Sequence, residues 1–303
     1  MEKDFGSELK EIRAILNVSQ KEISDDFNLI SKSSLQRIEK SEQIPAFDVA
    51  MKLINRLDVR ADEMEYRLNN FSISEKEQLI MDFRDIGSSA NITGINHLLK
   101  KMNAFLEKED SDYISSLVLI LRSLLVFQEE QNFTNAREIV KPVWEILEKR
   151  DEWLYKDMLL IANIIYMFDG TTFETMKKKL LDSIQKNYHL GTVNKLYVVT
   201  LMNSVLYMKK TDRFLEAEYE LELAITHAKK QKEHVRHLDA LSLKAELLWL
   251  KGEKDNAVEL AKKTFARLYC LEEFDILKDN QEDWEKLTGM DSKEMIKPLT
   301  EFM

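Results

Sequence analysis

The sequence predicts an all-α protein in two parts: a five-helix helix-turn-helix domain, followed by a tetratricopeptide-like α-solenoid. Three observations predict it. Apolar residues recur at spacings of three and four along the chain, and strand-like alternation is nearly absent. Only 7 Gly and 3 Pro interrupt the 303 residues. After residue 72, helix starts recur at nearly equal steps, which is typical of repeat architectures.

The composition indicates a soluble intracellular protein. No run of about 18 apolar residues predicts a transmembrane helix, and the amphipathic start "MEKDFGSELKEIR" lacks the apolar core of a signal peptide. The single cysteine, Cys270, cannot form an internal disulfide, so a reducing cytoplasm fits. A net charge of -10 argues against bulk nucleic-acid binding but leaves room for a small DNA-reading face.

Short helices with frequent breaks fill the first 66 residues. Leu9, Ile12 and Leu16 line a first helix that Asn17 ends, and Ser19 caps a second helix. Pro45 starts a fourth helix that runs through Leu57, and "DVRADEM" starts a fifth. Two short helices joined by a tight turn, with donors on the second, form the helix-turn-helix pattern.

The third helix, "SKSSLQRIEK" at residues 31–40, carries these donors. Ser31 is its cap, and Leu35 and Ile38 face inward. Its outward side chains are Lys32, Ser33, Gln36, Arg37 and Lys40. Residues 31–40 carry a local charge of +2, although residues 1–66 carry -4. The alternative is an ordinary helical bundle whose third helix is polar.

The run "EISDDFNLISKSSLQRIEKSEQIP" is similar to the Rgg/GadR/MutR family of Gram-positive regulators, and residues 7–66 resemble the five-helix domain of phage-repressor-type (XRE) regulators. The resemblance implies that Gln20 helps hold a phosphate, and that Lys32, Ser33 and Arg37 contact base edges. It also implies a structural pair between Arg13 and Glu39 that holds the third helix on the first.

This sequence departs from the family pattern at two places. The turn lacks its usual glycine, so Asn28 is expected to adopt the left-handed conformation. The third helix ends in "EKS" where the family has "ERG", which removes an arginine and the glycine cap.

The second part of the chain repeats. The helix starts "NFTNAREIV", "TFETMKKKL", "RFLEAEYEL" and "EKDNAVELA" each follow an apolar helix. Their aligned positions are Ala136, Met176, Ala217 and Ala257, at steps of 40, 41 and 40. Small residues at a regular step predict helix pairs that cross closely and stack into a solenoid. Residues from about 271 onward are expected to fall outside the period.

A polar series, defined here as Arg122, Asn163 and Asn203, recurs at steps of 41 and 40 inside the apolar helices. An Asn amide can pair with the backbone of a peptide, and Arg can clamp a carboxylate. The alternative is that each is a buried polar residue satisfied by a neighbouring helix. A solenoid curves and offers a concave groove. Peptide-responsive regulators that the chain resembles hold a short hydrophobic pheromone in a groove of this kind.

Catalysis finds little support, so we expect no enzyme and no cofactor. The sequence lacks HExxH, GxSxG and a glycine-rich phosphate loop. His227, His234 and His237 could make a zinc site, but solvated helix histidines fit them better. Cys270 is expected in the core.

The predicted boundaries are 1–68 for the helix-turn-helix domain, 69–90 for a linker or connecting helix, 91–270 for the peptide-binding repeats, and 271–303 for capping or dimerisation helices. We expect a cytoplasmic, peptide-responsive transcription regulator of quorum-sensing type that binds DNA as a homodimer and has RNA polymerase as a further partner. The alternative is a solenoid scaffold for protein–protein interaction that does not bind specific DNA. The predicted DNA-binding residues are Gln20, Ser31, Lys32, Ser33, Gln36 and Arg37.

Overall fold

The computed structural model describes residues 3–25, 30–86, 91–130, 132–191, 193–292 and 294–296. It divides the chain into two compact units, Met1–Ile80 and Met81–Met303. All regular structure of the described residues is helical, which confirms the predicted class. None of the described helices is both long and apolar enough to cross a membrane. The predicted turn residue Asn28 lies outside the described residues.

The first unit holds five short helices, as the breaks in the sequence predict. They are α1 (Phe5–Ile15), α2 (Gln20–Asp25), α3 (Lys32–Glu39), α4 (Phe47–Arg56) and α5 (Ala61–Leu68). A sixth helix, α6 (Glu75–Arg84), contains the boundary between the units.

Side-chain caps fix where the early helices start. Asp4 accepts hydrogen bonds from the backbone N–H groups of Gly6 and Ser7 at 2.9 and 3.0 Å, which starts α1. Ser19 and Glu22 form a reciprocal capping box at α2, with bonds of 2.6 and 3.2 Å. Without a side-chain cap, α4 begins at Phe47, two residues later than Pro45 predicts.

The core of the first unit is built from the inward positions of all five helices. Its fully or nearly fully buried members are Leu9, Ile12, Ile23, Leu35, Ile38, Leu53, Ile54, Leu57, Val59 and Met64. Leu35 and Ile38 of α3 belong to this core, so the inner face of α3 is apolar and its outer face is free for polar residues.

A glycine lets α1 approach α3 closely. A Cβ atom on Gly6 would lie 1.8 Å from the backbone oxygen of Ile38, far inside any allowed contact. At the same end of α3, Ser41 adopts a left-handed φ of 61° and donates its hydroxyl to Asp4 at 2.6 Å. That bond ties α1 to the position where "EKS" replaces a glycine cap. The hydrogen bonds from Ser41 and from the Ser7 amide lower the pKa of Asp4 to about 2.

The second unit continues with ten α-helices and two short 3-10 turns among its described residues. In order, they are α7 (Ile92–Leu106), α8 (Asp112–Glu130), α9 (Thr134–Leu147), α10 (Tyr155–Asn163), a 3-10 turn (Ile165–Met167), α11 (Gly170–Lys186), α12 (Val193–Lys210), a 3-10 turn (Phe214–Ala217), α13 (Glu218–Lys230), α14 (His234–Leu250), α15 (Lys254–Cys270) and α16 (Phe274–Thr288).

Successive helices of this unit pack on one another as pairs: α8 with α9, α10 with α11, α12 with α13, and α14 with α15. The predicted crossing positions support the pairing. Ala136, Ala217 and Ala257 are completely buried, while Met176 is half-buried. A small side chain at the crossing lets two helix axes approach closely, as the repeat pattern predicts.

The repeat extends one helix further than the sequence pattern indicates. α14 begins at His234 and α16 at Phe274, the same 40-residue step, and α16 packs on both α14 and α15. The expectation that the period ends near residue 271 is therefore wrong for α16. Its polar sequence "FDILKDNQEDWEKLT" hides the repeat, because few apolar positions remain to mark the inner face.

Cys270 is exposed, so its predicted place in the core is wrong. It is the last residue of α15, and the buried residue Leu268 precedes it by two positions. Two residues of an α-helix differ by about 200° in direction, so Cys270 points away from the face that Leu268 buries.

One arginine joins three helix pairs. α10 ends early at Asn163, and the 3-10 turn that follows leaves carbonyl groups without helix partners. Arg137 of α9 donates to the backbone oxygens of Tyr166 and Phe168 at 2.9 and 3.3 Å, and to the Tyr207 hydroxyl at 3.2 Å. Arg137 therefore supplies the donors that the broken helix needs.

A buried charge cluster joins α12, α14 and α16. Lys209 Nζ lies 2.5 Å from Glu246 Oε2 and 2.7 Å from Asp283 Oδ2. Burial raises the pKa of Glu246 to about 7 and that of Asp239 to about 6. Burial also acts on Asp283, but the Lys209 charge outweighs it and lowers the pKa of that quarter-exposed carboxyl. The cluster holds more carboxylates than cations.

We expect the free energy of unfolding of the second unit to fall as the pH rises toward the raised pKa of Glu246. Because folding raises the pKa of Glu246 from its ordinary 4.5 to about 7, the folded chain holds that proton more tightly than the unfolded chain. The stabilisation from this bound proton is fully present below the ordinary pKa of 4.5. It is lost as the pH rises through the raised pKa of about 7. It amounts to about 3 kcal/mol at most.

Glu246→Gln should therefore flatten the decline in melting temperature between pH 5 and pH 8. Tryptophan fluorescence reports the second unit alone, because all 4 tryptophans lie there. Glu259→Gln, at an exposed carboxylate paired with Lys263, is the matched control and should keep the wild-type slope. An unchanged slope in Glu246→Gln would show that Glu246 does not carry the raised pKa.

Candidate nucleic-acid interface and peptide site

The donor face of α3, defined as Lys32, Ser33, Gln36 and Arg37, is exposed along its whole length. The apolar residues of the same helix are buried, with Leu35 at 0% and Ile38 at 1% exposure. Long or small polar side chains on an exposed helix face can enter the major groove of DNA. α3 thus presents two cations, one amide and one hydroxyl on one side, while its other side is fixed in the core.

Ser31 has a structural task at the start of α3. Its hydroxyl accepts from the Ser34 backbone N–H at 3.1 Å, as its predicted capping role requires. The same hydroxyl lies 3.0 Å from the hydroxyl of Ser33 and 2.9 Å from that of Ser34. Two of the predicted DNA-binding residues, Ser31 and Ser33, are therefore linked at the helix N-terminus.

Glu39 docks α3 on α1 through a two-point bond with Arg13. Arg13 Nε donates to Glu39 Oε1 at 2.7 Å and its Nη2 donates to Oε2 at 3.0 Å. Arg13 also donates to the Val18 backbone oxygen at 2.7 Å, beyond the end of α1. The side chain of Glu39 is only 2% exposed, so this charge depends on its partners.

Gln20, the first residue of α2, is bonded to two side chains of α3. It is half-buried, and its Nε2 donates to Glu39 Oε2 at 2.7 Å. Its Oε1 accepts from Gln36 Nε2 at 3.2 Å. A phosphate role for Gln20 stays a prediction. The link to Gln36 escaped sequence reasoning, because residues sixteen positions apart on different helices carry no periodic signal.

The electrostatics of this group keep Glu39 ionised. Burial alone would raise the pKa of Glu39, but the bonds from Arg13 and Gln20 outweigh burial and hold the pKa below its ordinary value. A second buried carboxylate, Glu8, follows the same pattern with Lys3 and Arg67 as partners. Both carboxylates therefore act as acceptors at neutral pH.

The polar series of the second unit lies on consecutive first helices of the repeats, α8, α10 and α12, of which α10 packs on both others. Arg122 is exposed and has no hydrogen-bond or ion-pair partner among the described residues. Asn163 and Asn203 are half-buried. Asn163 Nδ2 donates to the Leu159 backbone oxygen of its own helix at 2.8 Å.

Asn203 makes the contact between neighbouring repeats. Its Nδ2 donates to the backbone oxygen of Ala162 at 2.9 Å, so α12 lies beside the end of α10 at this level. This bond is the kind that the alternative interpretation of the series expects. Asn203 Oδ1 and the second N–H group have no partner among the described residues, which leaves an acceptor and a donor.

Apolar residues accompany the polar series one helical turn later. They are Val126, Met167 and Leu206, and all three are partly exposed. Sequence reasoning did not single them out, although they recur at nearly the same step as the polar series. Val126 and Leu206 lie on α8 and α12 with Arg122 and Asn203, while Met167 lies in the 3-10 turn that follows α10. Partly exposed apolar side chains near amides and a guanidinium are groups that a peptide can contact.

The three histidines that could make a zinc site lie on two different helices. His227 lies on α13, while His234 and His237 lie on α14. Among the described residues, no group of three or more His, Cys, Asp or Glu side chains has the arrangement of a metal site. The His227 ring packs against that of Tyr197 at a tilt of 39°, with centroids 4.6 Å apart, and burial followed by the Lys230 charge lowers the pKa of His227.

Comparison with known proteins finds a family match to the first unit and solved structures of similar fold. Residues 9–64 match the helix-turn-helix family. A comparison with curated proteins finds no match. Among solved structures, a candidate transcriptional regulator from Listeria monocytogenes EGD-e has a TM-score of 0.70 at 17% identity, over 95% of this chain and 98% of that one.

Two further structures share the architecture. ComR from S. thermophilus, solved with DNA and its signalling peptide ComS, has a TM-score of 0.64 at 18% identity, over 92% of this chain and 98% of that chain. The SHP pheromone receptor Rgg2 of Streptococcus dysgalactiae has a TM-score of 0.59 at 19% identity, over 93% of this chain and 99% of that chain. The predicted fold, a helix-turn-helix followed by tetratricopeptide-like repeats, is confirmed.

The Arg13–Glu39 pair gives a stability prediction for the first unit. Arg13→Ala leaves a buried carboxylate without its main partner, which typically costs about 3–5 kcal/mol. We expect faster hydrogen exchange across α1 and α3 and unchanged exchange in the second unit, measured by mass spectrometry on the full chain.

Arg60→Ala is the matched control. Arg60 pairs with Asp62 at the surface, where an ion pair contributes little. Exchange in α1 and α3 should stay at the wild-type rate in this variant. Equal exchange in Arg13→Ala and wild type would show that α3 does not depend on the pair.

Proposed function

We propose that this chain is a peptide-responsive, DNA-binding transcription regulator of quorum-sensing type. The donor face of α3 carries the proposal: four exposed polar side chains stand on a helix whose opposite face is fixed by the core and by Glu39. A solenoid scaffold without DNA binding has no use for such a face. The helix-turn-helix match and the architecture shared with the DNA- and peptide-bound ComR structure support the proposal.

DNA recognition divides among the residues by their chemistry. Arg37 can bind a guanine edge with two hydrogen bonds, and Gln36 suits adenine. Lys32 and Ser33, at the start of α3, are placed for base edges or nearby phosphates, where the helix N-terminus also favours an anion. Because residues 31–40 carry only +2, a single copy neutralises few phosphates. A homodimer that reads two half-sites about one helical turn apart doubles the number of DNA contacts.

Peptide recognition belongs to the polar series. Arg122, which has no partner among the described residues, provides its guanidinium for the carboxylate of a peptide. The amide oxygens of Asn163 and Asn203, which have no partner in the part of the chain that the structure describes, accept from a peptide backbone N–H. Val126, Met167 and Leu206 contact its apolar side chains. The ligand is therefore a short, extended, hydrophobic peptide. Its binding favours one arrangement of the dimer over another, which changes DNA binding.

The setting follows from this function. A regulator that reads chromosomal DNA and an imported peptide acts in the cytoplasm and has RNA polymerase as a further partner. We propose no enzymatic activity and no cofactor. Selection of bound fragments from a genomic library with the purified chain tests the DNA-binding function, and failure to enrich any sequence would contradict it.

Arg37→Ala tests the donor face. Losing a two-point base contact should weaken specific binding by about 1–3 kcal/mol. The measurement is a gel-shift titration at matched salt with a duplex recovered from that selection. Circular dichroism should be unchanged, because Arg37 is exposed and lacks partners among the described residues.

Arg267→Ala removes one exposed arginine from α15 and controls for the change of net charge. It should bind the duplex with wild-type affinity. If Arg37→Ala and Arg267→Ala both bind as wild type does, Arg37 makes no base contact.

Asn163→Ala and Asn203→Ala test the polar series. Each variant loses net hydrogen bonds worth about 1 kcal/mol, so peptide affinity should fall roughly fivefold for each. The probe is a labelled peptide recovered by the wild-type chain from a library of short hydrophobic peptides, measured by fluorescence polarisation. DNA affinity without peptide should not change.

Asn187→Ala is the matched control. Asn187 Nδ2 donates to the Ser183 backbone oxygen at 2.9 Å, as Asn163 does to Leu159, but on a second helix of a pair. Peptide affinity should stay at the wild-type level in Asn187→Ala. Undiminished affinity in the Asn163/Asn203 double variant would reject the assignment of the series.

A further inference from the structure

A continuous chain of hydrogen bonds links the buried carboxylate of Glu39 to the exposed donor face. Gln20 Nε2 donates to Glu39 Oε2 at 2.7 Å, and Gln36 Nε2 donates to Gln20 Oε1 at 3.2 Å. Glu39 is buried, Gln20 is half-buried, and Gln36 is exposed. The chain thus leads from the core of the first unit to a side chain positioned for DNA.

The direction of every bond in this chain is set by Glu39. An ionised carboxylate can only accept hydrogen bonds, so the Gln20 amide must turn its nitrogen toward Glu39. Its oxygen then faces Gln36, and an oxygen can only accept. Gln36 must therefore offer its own nitrogen inward. The lowered pKa of Glu39 agrees with a carboxylate that stays ionised.

The consequence for Gln36 is a fixed order of donor and acceptor. A free glutamine amide turns about its last torsion with two broad, nearly equivalent preferences. Held by Gln20, the Gln36 amide keeps its nitrogen on the side of α2 and its oxygen on the far side. One N–H and the oxygen remain available to a base.

Adenine accepts at N7 and donates from its N6 amino group in the major groove, and a glutamine amide matches both atoms. Exchanging A·T for T·A reverses the order of N7 and N6 across the major groove. An amide that can turn over matches either orientation. An amide whose order is fixed matches one.

We propose that Gln20 is a specificity-determining positioning residue: through it, the buried Glu39 carboxylate makes Gln36 distinguish A·T from T·A at one base pair of the operator. The proposal rests on the DNA-binding function proposed above. Gln20 acts here through Gln36 and needs no contact of its own with DNA.

The experiment selects binding sites from a double-stranded DNA library of random sequence, with the full chain and with its variants. Gln36→Ala identifies the base pair that Gln36 reads, because the preference at that pair disappears. Wild type should prefer one orientation of adenine there by about tenfold or more, the discrimination expected of a two-point contact.

Two variants then release the Gln36 amide. Gln20→Met removes both bonds of Gln20 and leaves Arg13 on Glu39. Gln20→Lys keeps a donor for Glu39 but offers Gln36 no acceptor, so it tests the same point if Gln20→Met fails to fold. Each should accept A·T and T·A at the identified pair within about twofold of one another, with unchanged preferences at the other pairs. Gln78→Met, an exposed glutamine of α6, is the control and should keep the wild-type preference.

The outcomes separate the inference from the function on which it rests. A folded Gln20 variant that keeps the wild-type orientation overturns the role of Gln20 and leaves DNA binding intact. The inference also fails if Gln36→Ala alters the sequence preference at no base pair. It fails as well if the altered base pair is G·C and not A·T. If wild type enriches no sequence at all, the DNA-binding function itself is contradicted.

Discussion

The first unit depends on one buried charge, the Glu39 carboxylate. Its side chain is 2% exposed, and a charge removed from water to that extent is stable only if donors surround it. Arg13 supplies two bonds from α1, and Gln20 supplies one from α2. The same carboxylate therefore fixes three helices at once, and the placement of the donor face follows from it. Gly6 permits this arrangement, because no other residue would let the α1 backbone approach Ile38 so closely.

The helices of the second unit are held together mainly by apolar packing between repeats. Three of its four aligned repeat positions are fully buried alanines, whose small side chains allow neighbouring elements to pack closely. Several polar side chains join helices where a helix is broken or where consecutive repeats meet. Arg137 serves the broken end of α10, Asn203 joins α12 to Ala162, and Lys209 joins α12 to Glu246 and Asp283. Asn163 and Asn203 of the polar series each make one bond to a backbone oxygen, while Arg122 has no partner among the described residues.

Periodicity and resemblance together predicted the helices, the pairing step and the residues of the docking pair. Those features have a local or regular signal: a cap such as Ser31, a small residue every 40 positions, an Arg and a Glu in a known motif. The links between distant polar residues have no such signal. The bond from Gln36 to Gln20 and the Lys209 cluster depend on side chains that tertiary packing brings together. The polar α16 was missed as a repeat helix, and Cys270 was placed in the core because a helix end obscures which face is buried.

The central claim is that α3, held by Glu39, reads base edges in DNA. A crystal structure of the full chain with a duplex recovered by selection tests it most directly. The account predicts that α3 lies in the major groove, that Arg37 and Gln36 contact base edges, and that the bonds among Arg13, Glu39 and Gln20 are unchanged from those described for the chain alone. A complex in which another surface meets the bases, with the donor face of α3 turned to solvent, would contradict it.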